Sequence, residues 1–421
     1  MSTVVSNLLK DVPLPRFVKV RQEFSREKIE NIPQAIEDAL SRPQIVEKIQ
    51  PGKRICLTCG SRGIDNNAAI IKSVADFCKT KGALPFAIPA MGSHGGATAE
   101  GQREMLRSLG ITEETIGCPI YSSMETVQIG LTEEGHPVQI DKFAAQSDGI
   151  IVINRIKPHT SFRGEYESGL MKMMAIGLGK QKGAEVCHAA GFPKMHHMVP
   201  LFGKAILKNG PILFGLGIIE NAFDKTARIY ALTPDEIIEK EPTHLQEAFN
   251  LMPSLGFKEC DVLVVDRIGK NISGCGMDPN ITGVFATPGM TGGIKAQRRC
   301  ILGLTPQTHG NGYGMGAADC ITRRLFEELD LSAIYPNSIT STSLGFSKIP
   351  LIMETDKEAL QLCVRTCNGI DTKNARIIRI KDTLSLSEFE ISENLIPELP
   401  QNMEVISEPY QLPFKEDGCL L

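Results

Sequence analysis

The stretch RICLTCGSRGIDNNAAIIKSVADFCKTKGALPFAIPAMG, residues 54–92, indicates the fold class. It holds one apolar run at 54–60, a helical pattern at 67–79 and a second apolar run at 84–92. Short apolar runs that end in glycine or polar residues are typical of buried strands. Strands that alternate with helices favour an α/β protein with largely parallel sheets. The sequence therefore predicts such a sheet, beginning with this strand–helix–strand unit.

The same alternation continues along the chain. Further strands are predicted at 148–159, 211–219 and 260–269, and a helix is predicted at 98–109, with Thr98 as its N-cap. A break near 250–258 follows a polar helical pattern and marks a domain boundary. At 421 residues the chain is too long for one ordinary core. We predict two α/β domains, 1–255 and 256–421.

Composition excludes several classes of function. The net charge of −4 gives no basic surface for nucleic acid, and the longest apolar runs are far too short to span a membrane. The N-terminal residues lack the charged and apolar regions of a signal peptide. Twelve scattered cysteines are typical of buried thiols in a reducing compartment. We expect a cytoplasmic protein that binds neither nucleic acid nor membrane.

Polar residues collect where the predicted strands end. In α/β sheets, ligands bind beyond the carboxyl ends of the strands, so this placement favours a catalytic cleft formed by several loops. The residues are Cys59, Ser61, Arg62, Asp65, Ser93, His94, Lys157, His159, Asp266, Lys270 and Asn271.

Each candidate, taken alone, also has an ordinary structural explanation. His94 lies in a polar turn, GSHGG, and His159 follows Pro158 at a strand end. Lys172 could extend its amine from an apolar face, and His188 could be a core histidine. The CxxC that begins at Cys56 has no second pair, which argues against structural zinc.

Taken together, the motifs resemble one family. The order is Arg62, GSHGG with His94, KPH with His159, SGLMK with Lys172, and then His188. This series is similar to that of the nickel-pincer-dependent lactate racemase family, and the interval from Lys172 to His188 is its most specific part. The resemblance covers roughly residues 50–220, and the second domain only in broad layout.

The resemblance implies a cofactor and an arrangement of the site. The family's cofactor is a nickel-pincer nucleotide, a nickel(II) pyridinium mononucleotide with two sulfur-containing arms. It would be joined covalently to Lys172, with His188 as a nickel ligand, and would lie beside Cys59, Gly60, Ser61 and Arg62. The N-terminal domain would carry these anchoring motifs, the C-terminal domain would close the substrate site, and the active site would lie in the cleft between them.

The resemblance also implies an activity. His94 and His159 would be the paired acid/base residues of an isomerase, a racemase or epimerase of a 2-hydroxy acid. The reaction would proceed by proton-coupled hydride transfer through a keto acid. Its partners would be a small hydroxy acid and the enzymes of cofactor biosynthesis.

Several positions depart from the family pattern. Cys59 stands where the family often has aspartate, and Asp65 is a candidate replacement. The interval from His159 to Lys172 is longer than in lactate racemase. No clear counterparts exist for the lactate-anchoring residues, which leaves Lys270 and Asn271 as candidate substrate ligands. We therefore expect a larger or differently charged 2-hydroxy acid, with racemisation, epimerisation and internal redox isomerisation all open.

Two interpretations from other functional classes stay open from the sequence alone. The first is a hydrolase or lyase that binds zinc through His94, His159 and His188. The second is a non-catalytic protein that binds a nucleotide cofactor.

Overall fold

The computed structural model describes residues 3–341 and 343–421. They form two compact units, one of Ser25–Met252 and one of the residues before Ser25 together with Pro253–Leu421. In chain order the strands are β1 (Phe17–Gln22), β2 (Arg54–Cys59), β3 (Leu84–Pro89), β4 (Thr126–Leu131), β5 (Pro137–Asp141), β6 (Gly149–Arg155), β7 (Ile212–Glu220), β8 (Thr226–Leu232), β9 (Glu259–Val265), β10 (Lys295–Ile301), β11 (Cys320–Thr322), β12 (Leu351–Met353), β13 (Ile377–Ile380), β14 (Glu388–Ser392) and β15 (Met403–Val405).

The α-helices alternate with these strands over much of the chain. They are α1 (Thr3–Leu9), α2 (Ile32–Leu40), α3 (Pro43–Val46), α4 (Asn67–Thr80), α5 (Ala99–Ser108), α6 (Glu113–Ile116), α7 (Lys142–Ala145), α8 (Leu170–Lys172), α9 (Lys180–His188), α10 (Met195–Asn209), α11 (Pro234–Leu251), α12 (Pro279–Thr282), α13 (Arg323–Glu327), α14 (Leu331–Ser341) and α15 (Asp356–Thr366). A π-helical segment, Met173–Leu178, joins α8 to α9.

The unit Ser25–Met252 is built on a five-stranded sheet in the order β3-β2-β6-β7-β8. Strands β3, β2, β6 and β7 are parallel, and β8 is antiparallel to β7. The strands predicted at 54–60, 84–92, 148–159 and 211–219 are β2, β3, β6 and β7. Separate apolar cores cover the sheet, one including α2 and α4, the other α8, the π-helical segment and α10.

The second unit contains an eight-stranded sheet in the order β12-β11-β10-β9-β13-β14-β1-β15. Strands β9 to β13 pair in parallel, whereas β14, β1 and β15 pair antiparallel. The strand predicted at 260–269 is β9. The predicted fold class, α/β with large and mostly parallel sheets, is confirmed.

The division of the chain differs from the predicted one at its beginning. We predicted one domain over 1–255, and the structure divides the chain between Met252 and Pro253. The residues before Ser25, however, belong with the C-terminal part, because β1 pairs with β14 and β15. Such pairing joins segments that are remote in sequence, which a local pattern does not reveal.

Two other predictions concern the cysteines and the membrane. All twelve cysteines carry free thiols and eleven are buried, as their scattered spacing predicted. Among the described residues, none of the helices combines the length and the apolar character needed to cross a bilayer.

Candidate active site

The predicted site residues of the N-terminal half meet at one edge of the five-stranded sheet. Ser61 and Arg62 follow β2, His94 follows β3, and His159 follows β6. These three strands are parallel neighbours, so their carboxyl ends lie together. Lys172 and His188 end the helices α8 and α9. The positive charges of Arg62 and Lys172 both depress the pKa of His94, which shows that the side chains share one environment.

The His94 turn is formed by glycines and fastened by a buried glutamine. Gly95 has φ +66°, and a Cβ there would lie 2.6 Å from the backbone nitrogen of Gln102, so only glycine fits. The Gln102 amide donates to the carbonyl oxygens of Gly92 (2.9 Å) and His94 (3.2 Å). The His94 ring pairs through Nδ1 with Ser61 Oγ at 2.5 Å. The turn therefore holds the ring in a defined orientation.

The charge state of His94 follows from its surroundings. Neighbouring atoms desolvate the imidazole, and Arg62, Lys172 and His188 add positive charge, so the pKa falls to about 4. The side chain is also exposed, and the water that reaches it screens part of this effect. With a lowered pKa, His94 is neutral at pH 7, and the neutral imidazole is the form that a general base requires.

His159 and Lys172 are in direct contact. Lys172 Nζ lies 2.8 Å from His159 Nε2, and the backbone N–H of Ser161 donates to His159 Nδ1 at 3.0 Å. A neutral imidazole that accepts at Nδ1 carries its proton at Nε2. The Nε2 hydrogen then points at Lys172, so the contact requires a lysine amine that offers its lone pair.

The pKa shifts of this pair both favour the neutral forms. Burial, followed by the positive charges of Arg62 and Lys157, lowers the pKa of Lys172 to about 8. Burial and the charge of Lys172 lower the pKa of His159 well below its usual value. A neutral lysine amine is nucleophilic, whereas the ammonium form is not.

His188 lies beyond the π-helical segment that follows Lys172. Single π-helical turns often occur at functional sites. The His188 ring is exposed and packs 5.8 Å from the Phe192 ring, measured between centroids. Although solvent reaches the ring, desolvation by neighbouring atoms and the charge of Lys172 lower its pKa to about 4. A neutral imidazole is the form that binds a metal, so His188 has the protonation state that its predicted role requires.

The other candidate residues near the carboxyl end of β2 differ in exposure and in contacts. Arg62 is exposed, and its charge acts on both His94 and Lys172. The Cys59 side chain is instead buried in the core, so only its backbone can approach a ligand. Asp65 contacts Lys225 and accepts the backbone N–H of Thr226, and its role beside the cofactor stays a prediction.

Sequence reasoning missed a buried carboxylate that organises the loop after His159. Glu167 accepts the backbone N–H groups of His159 (2.6 Å) and Gly164 (3.3 Å) and contacts Arg163 Nη1 at 3.3 Å. The Phe162 ring lies 4.4 Å from the His159 ring. The longer interval between His159 and Lys172 is thus a loop folded around Glu167. Nothing in the local pattern distinguishes this glutamate from a surface residue.

A second missed carboxyl contacts the backbone of α8, the helix that ends at Lys172. Glu241 of α11 is buried and accepts the backbone N–H of Met171 at 3.1 Å. A Cβ at Gly169 would overlap its Oε1, so the glycine leaves room for the carboxyl. Burial raises the pKa of Glu241 to about 8, although the hydrogen bonds from the backbone of Met171 and Leu170 oppose this shift. Glu241 therefore fixes the start of α8 as a largely protonated acid.

We predict that Glu241 makes the stability of the protein depend on pH. Because the folded-state pKa is raised, its stabilising contribution is complete below pH 4.5 and is lost as pH rises through about 8. The Glu241→Gln variant cannot ionise and should exceed the wild type by roughly 5 kcal/mol in the free energy of unfolding at pH 9, with little difference at pH 4.5. Urea unfolding across this range measures the difference. Glu239→Gln, an exposed change on the same helix, should show no such dependence.

Lys270 and Asn271, the candidate substrate ligands, lie in the second unit. Lys270 Nζ donates to the carbonyl oxygen of Gly274 at 2.7 Å and lies 4.2 Å from the centre of the Tyr313 ring. Asn271 Oδ1 accepts from Thr305 Oγ1 at 2.6 Å. Both side chains therefore have contacts within their own glycine-rich loop, and their role in substrate binding stays a prediction.

A three-thiol cluster also lies in the second unit. In residues 3–341 and 343–421, the one group of three potential metal ligands within 4.8 Å of one another is Cys300, Cys320 and Cys363. Its surroundings are apolar, so nothing there offsets the charge of three thiolates. His94, His159 and His188 do not form such a group, which disfavours the three-histidine zinc site.

Comparison with known proteins supports a racemase at the level of the family. Residues 7–198 match the family model described as "Lactate racemase N-terminal domain". The resemblance to the lactate racemase family is thereby confirmed, and this family uses a metal-containing cofactor. A search of curated proteins found no match.

One solved structure, that of the lactate racemase apoprotein from Thermoanaerobacterium thermosaccharolyticum, shares the fold. Its TM-score is 0.54 and its sequence identity 12%, over 88% of this chain and 99% of that chain. At this identity the likeness concerns the fold alone.

Proposed function

We propose that the protein is a nickel-pincer nucleotide-dependent racemase or epimerase of a 2-hydroxy acid. The observation that carries the proposal is the contact between Lys172 and the Nε2 hydrogen of His159. It involves a lysine whose pKa is lowered to about 8, so that a larger fraction of its amine is neutral at pH 7 than in an ordinary lysine, and it lies near the neutral imidazoles of His94 and His188.

The side chains fit the cofactor that the resemblance implies. Lys172 would hold it covalently, since a depressed pKa makes the amine available for acylation. His188 would ligate nickel, for which imidazole together with sulfur is a suitable donor set. The exposed guanidinium of Arg62 would bind the cofactor or the carboxylate of the substrate in bidentate fashion. When bound, the cofactor supplies an acceptor for hydride, which no amino-acid side chain provides.

The two catalytic histidines would move the hydroxyl proton. Inversion through a keto acid removes a proton from the hydroxyl oxygen and later returns one to it, on either face of the carbon. Ser61 pairs with His94 at Nδ1, which leaves Nε2 as the nitrogen that would act on the substrate. His159 is oriented from the other side by the Ser161 N–H at Nδ1. Once the Lys172 nitrogen is acylated it is no longer basic, and His159 Nε2 is free to exchange a proton with substrate.

The substrate class follows from the departures in the second unit. By the resemblance, Gly274 and Met277 would occupy the positions at which the family anchors lactate, and Met277 is buried. A loop that offers a carbonyl and a buried methionine does not reproduce a polar lactate anchor. We therefore propose a 2-hydroxy acid with a larger or differently charged side chain.

Intact-mass spectrometry tests the proposal. We expect the protein, produced together with the cofactor-biosynthesis enzymes, to carry a mass increment on Lys172 and to retain nickel. Substrate deuterated at the α-carbon should largely keep its deuterium through turnover, because hydride returns to the same carbon. An unmodified Lys172 without nickel under these conditions would falsify the proposal, and loss of the label to solvent would indicate simple deprotonation.

A further inference from the structure

A buried lysine lies beside the site and takes no part in the proposed chemistry. Lys180, the first residue of α9, is completely buried. Its Nζ lies 3.2 Å from Asp141 Oδ2, donates to Gln102 Oε1 at 3.0 Å, and also donates to the carbonyl oxygen of Pro89. Because an unpaired charge in a core is costly, such a lysine persists only with partners of this kind.

The backbone at Lys180 is strained. Its φ is +53°, in the left-handed region that residues with a Cβ rarely adopt. The residue lies at the junction between the π-helical segment, which follows Lys172, and α9, which ends at His188. Backbone strain of this kind persists where surrounding contacts enforce it, and here the contacts are those of the Lys180 amine.

Gln102 extends these contacts to the His94 turn. Its Oε1 accepts from Lys180, while its Nε2 donates to the carbonyl oxygens of Gly92 and His94. Pro89, the other acceptor of Lys180, is the last residue of the strand that leads into the same turn. One side chain thus connects the turn that carries His94 with the helix that carries His188.

We infer that Lys180 is a positioning residue that fixes the His94 turn and the His188 helix in one relative geometry. The effect of Lys180 on turnover rests on the proposed function, whereas its effect on the geometry of the two segments does not. If Lys180 were only part of a stabilising ion pair, its loss would weaken the whole unit without a selective effect on these two segments.

The variants must separate positioning from stability. Lys180→Met alone leaves Asp141 buried without its partner, so we pair it with Asp141→Asn. The asparagine keeps the Oδ1 acceptor for the N–H groups of Phe143 and Ala144. The matched control is Ile206→Ala, which opens a cavity in the apolar core on the same side of the sheet without touching these contacts.

Amide hydrogen exchange of the protein without cofactor or substrate gives the test. In Lys180→Met/Asp141→Asn, we expect amides of residues 92–97 and 181–188 to exchange at least about tenfold faster than in the wild type, through local opening. Ile206→Ala should not show this selectivity. Uniform acceleration over the unit, as for the control, would overturn the inference.

A second variant keeps the test decisive if the lysine variants do not fold. Gln102→Leu should loosen 92–97 and leave 181–188 unchanged, and unchanged exchange at 92–97 would contradict the inference. Where both variants fold, their effects on 92–97 should be non-additive, because they break one chain of contacts.

Turnover separates this inference from the proposed function. In the cofactor-loaded protein, we expect Lys180→Met/Asp141→Asn to lower kcat by about 10- to 100-fold with KM little changed, since misplaced groups impair the reaction more than binding. If the wild type shows no turnover while exchange responds as expected, the proposed function fails and the positioning role stands.

Discussion

The Lys172→Met variant, produced with the cofactor-biosynthesis enzymes, should carry no adduct and show no turnover above background. Methionine is close to lysine in length, and three methionines already flank this position, so the fold should tolerate the change. What disappears is the amine that lies 2.8 Å from His159 Nε2 and that would carry the cofactor.

Intact mass, nickel content and a chiral assay of the product measure this effect. Lys182→Met is the matched control, because Lys182 is exposed on the next helix, and this variant should keep both adduct and activity. Turnover by Lys172→Met at the wild-type rate would show that the lysine does not anchor a cofactor, and would leave a non-covalent mode of binding as the alternative.

The strands and the catalytic motifs could be predicted because their signals are local. Apolar runs that end in glycine mark β2 and β3, one that ends in polar residues marks β6, and the carboxyl ends of these parallel neighbours lie at the same edge. Ser61, His94 and His159 therefore lie at one edge without any knowledge of long-range contacts. The same reasoning failed for β1, whose partners are more than 350 residues away along the chain.

The supporting residues could not be predicted, because charged residues in a sequence are usually exposed. Glu167, Lys180 and Glu241 are buried, and each acts on backbone or side-chain groups of the site. The partners of Lys180 and Glu241 come from other strands and helices, whereas Glu167 binds groups of its own loop, whose folding the local pattern does not reveal.

The His159→Gln variant should keep the adduct on Lys172 and lose about 10²- to 10⁴-fold in kcat, the usual contribution of a general acid–base residue. Glutamine offers hydrogen-bonding atoms near those of the imidazole, yet it cannot take up the hydroxyl proton. Loss of the adduct as well would instead mean that His159 serves mainly to keep Lys172 neutral, through the contact between Nε2 and Nζ.

The His94→Gln variant separates proton transfer by a histidine from the effect of a histidine on the charge of Lys172. Its ring pairs with Ser61, and no described hydrogen bond links it to Lys172, so this variant should lose activity to a similar degree with the adduct intact. His196→Gln, an exposed change, is the control and should keep full activity. If both His94 and His159 contribute a proton transfer on opposite faces of the carbon, each variant should slow both directions of the reaction. Because the equilibrium between enantiomers is fixed by symmetry, a defect of kcat/KM in one direction only would show that substrate and product are not enantiomers, and full activity of either variant would contradict the two-base assignment.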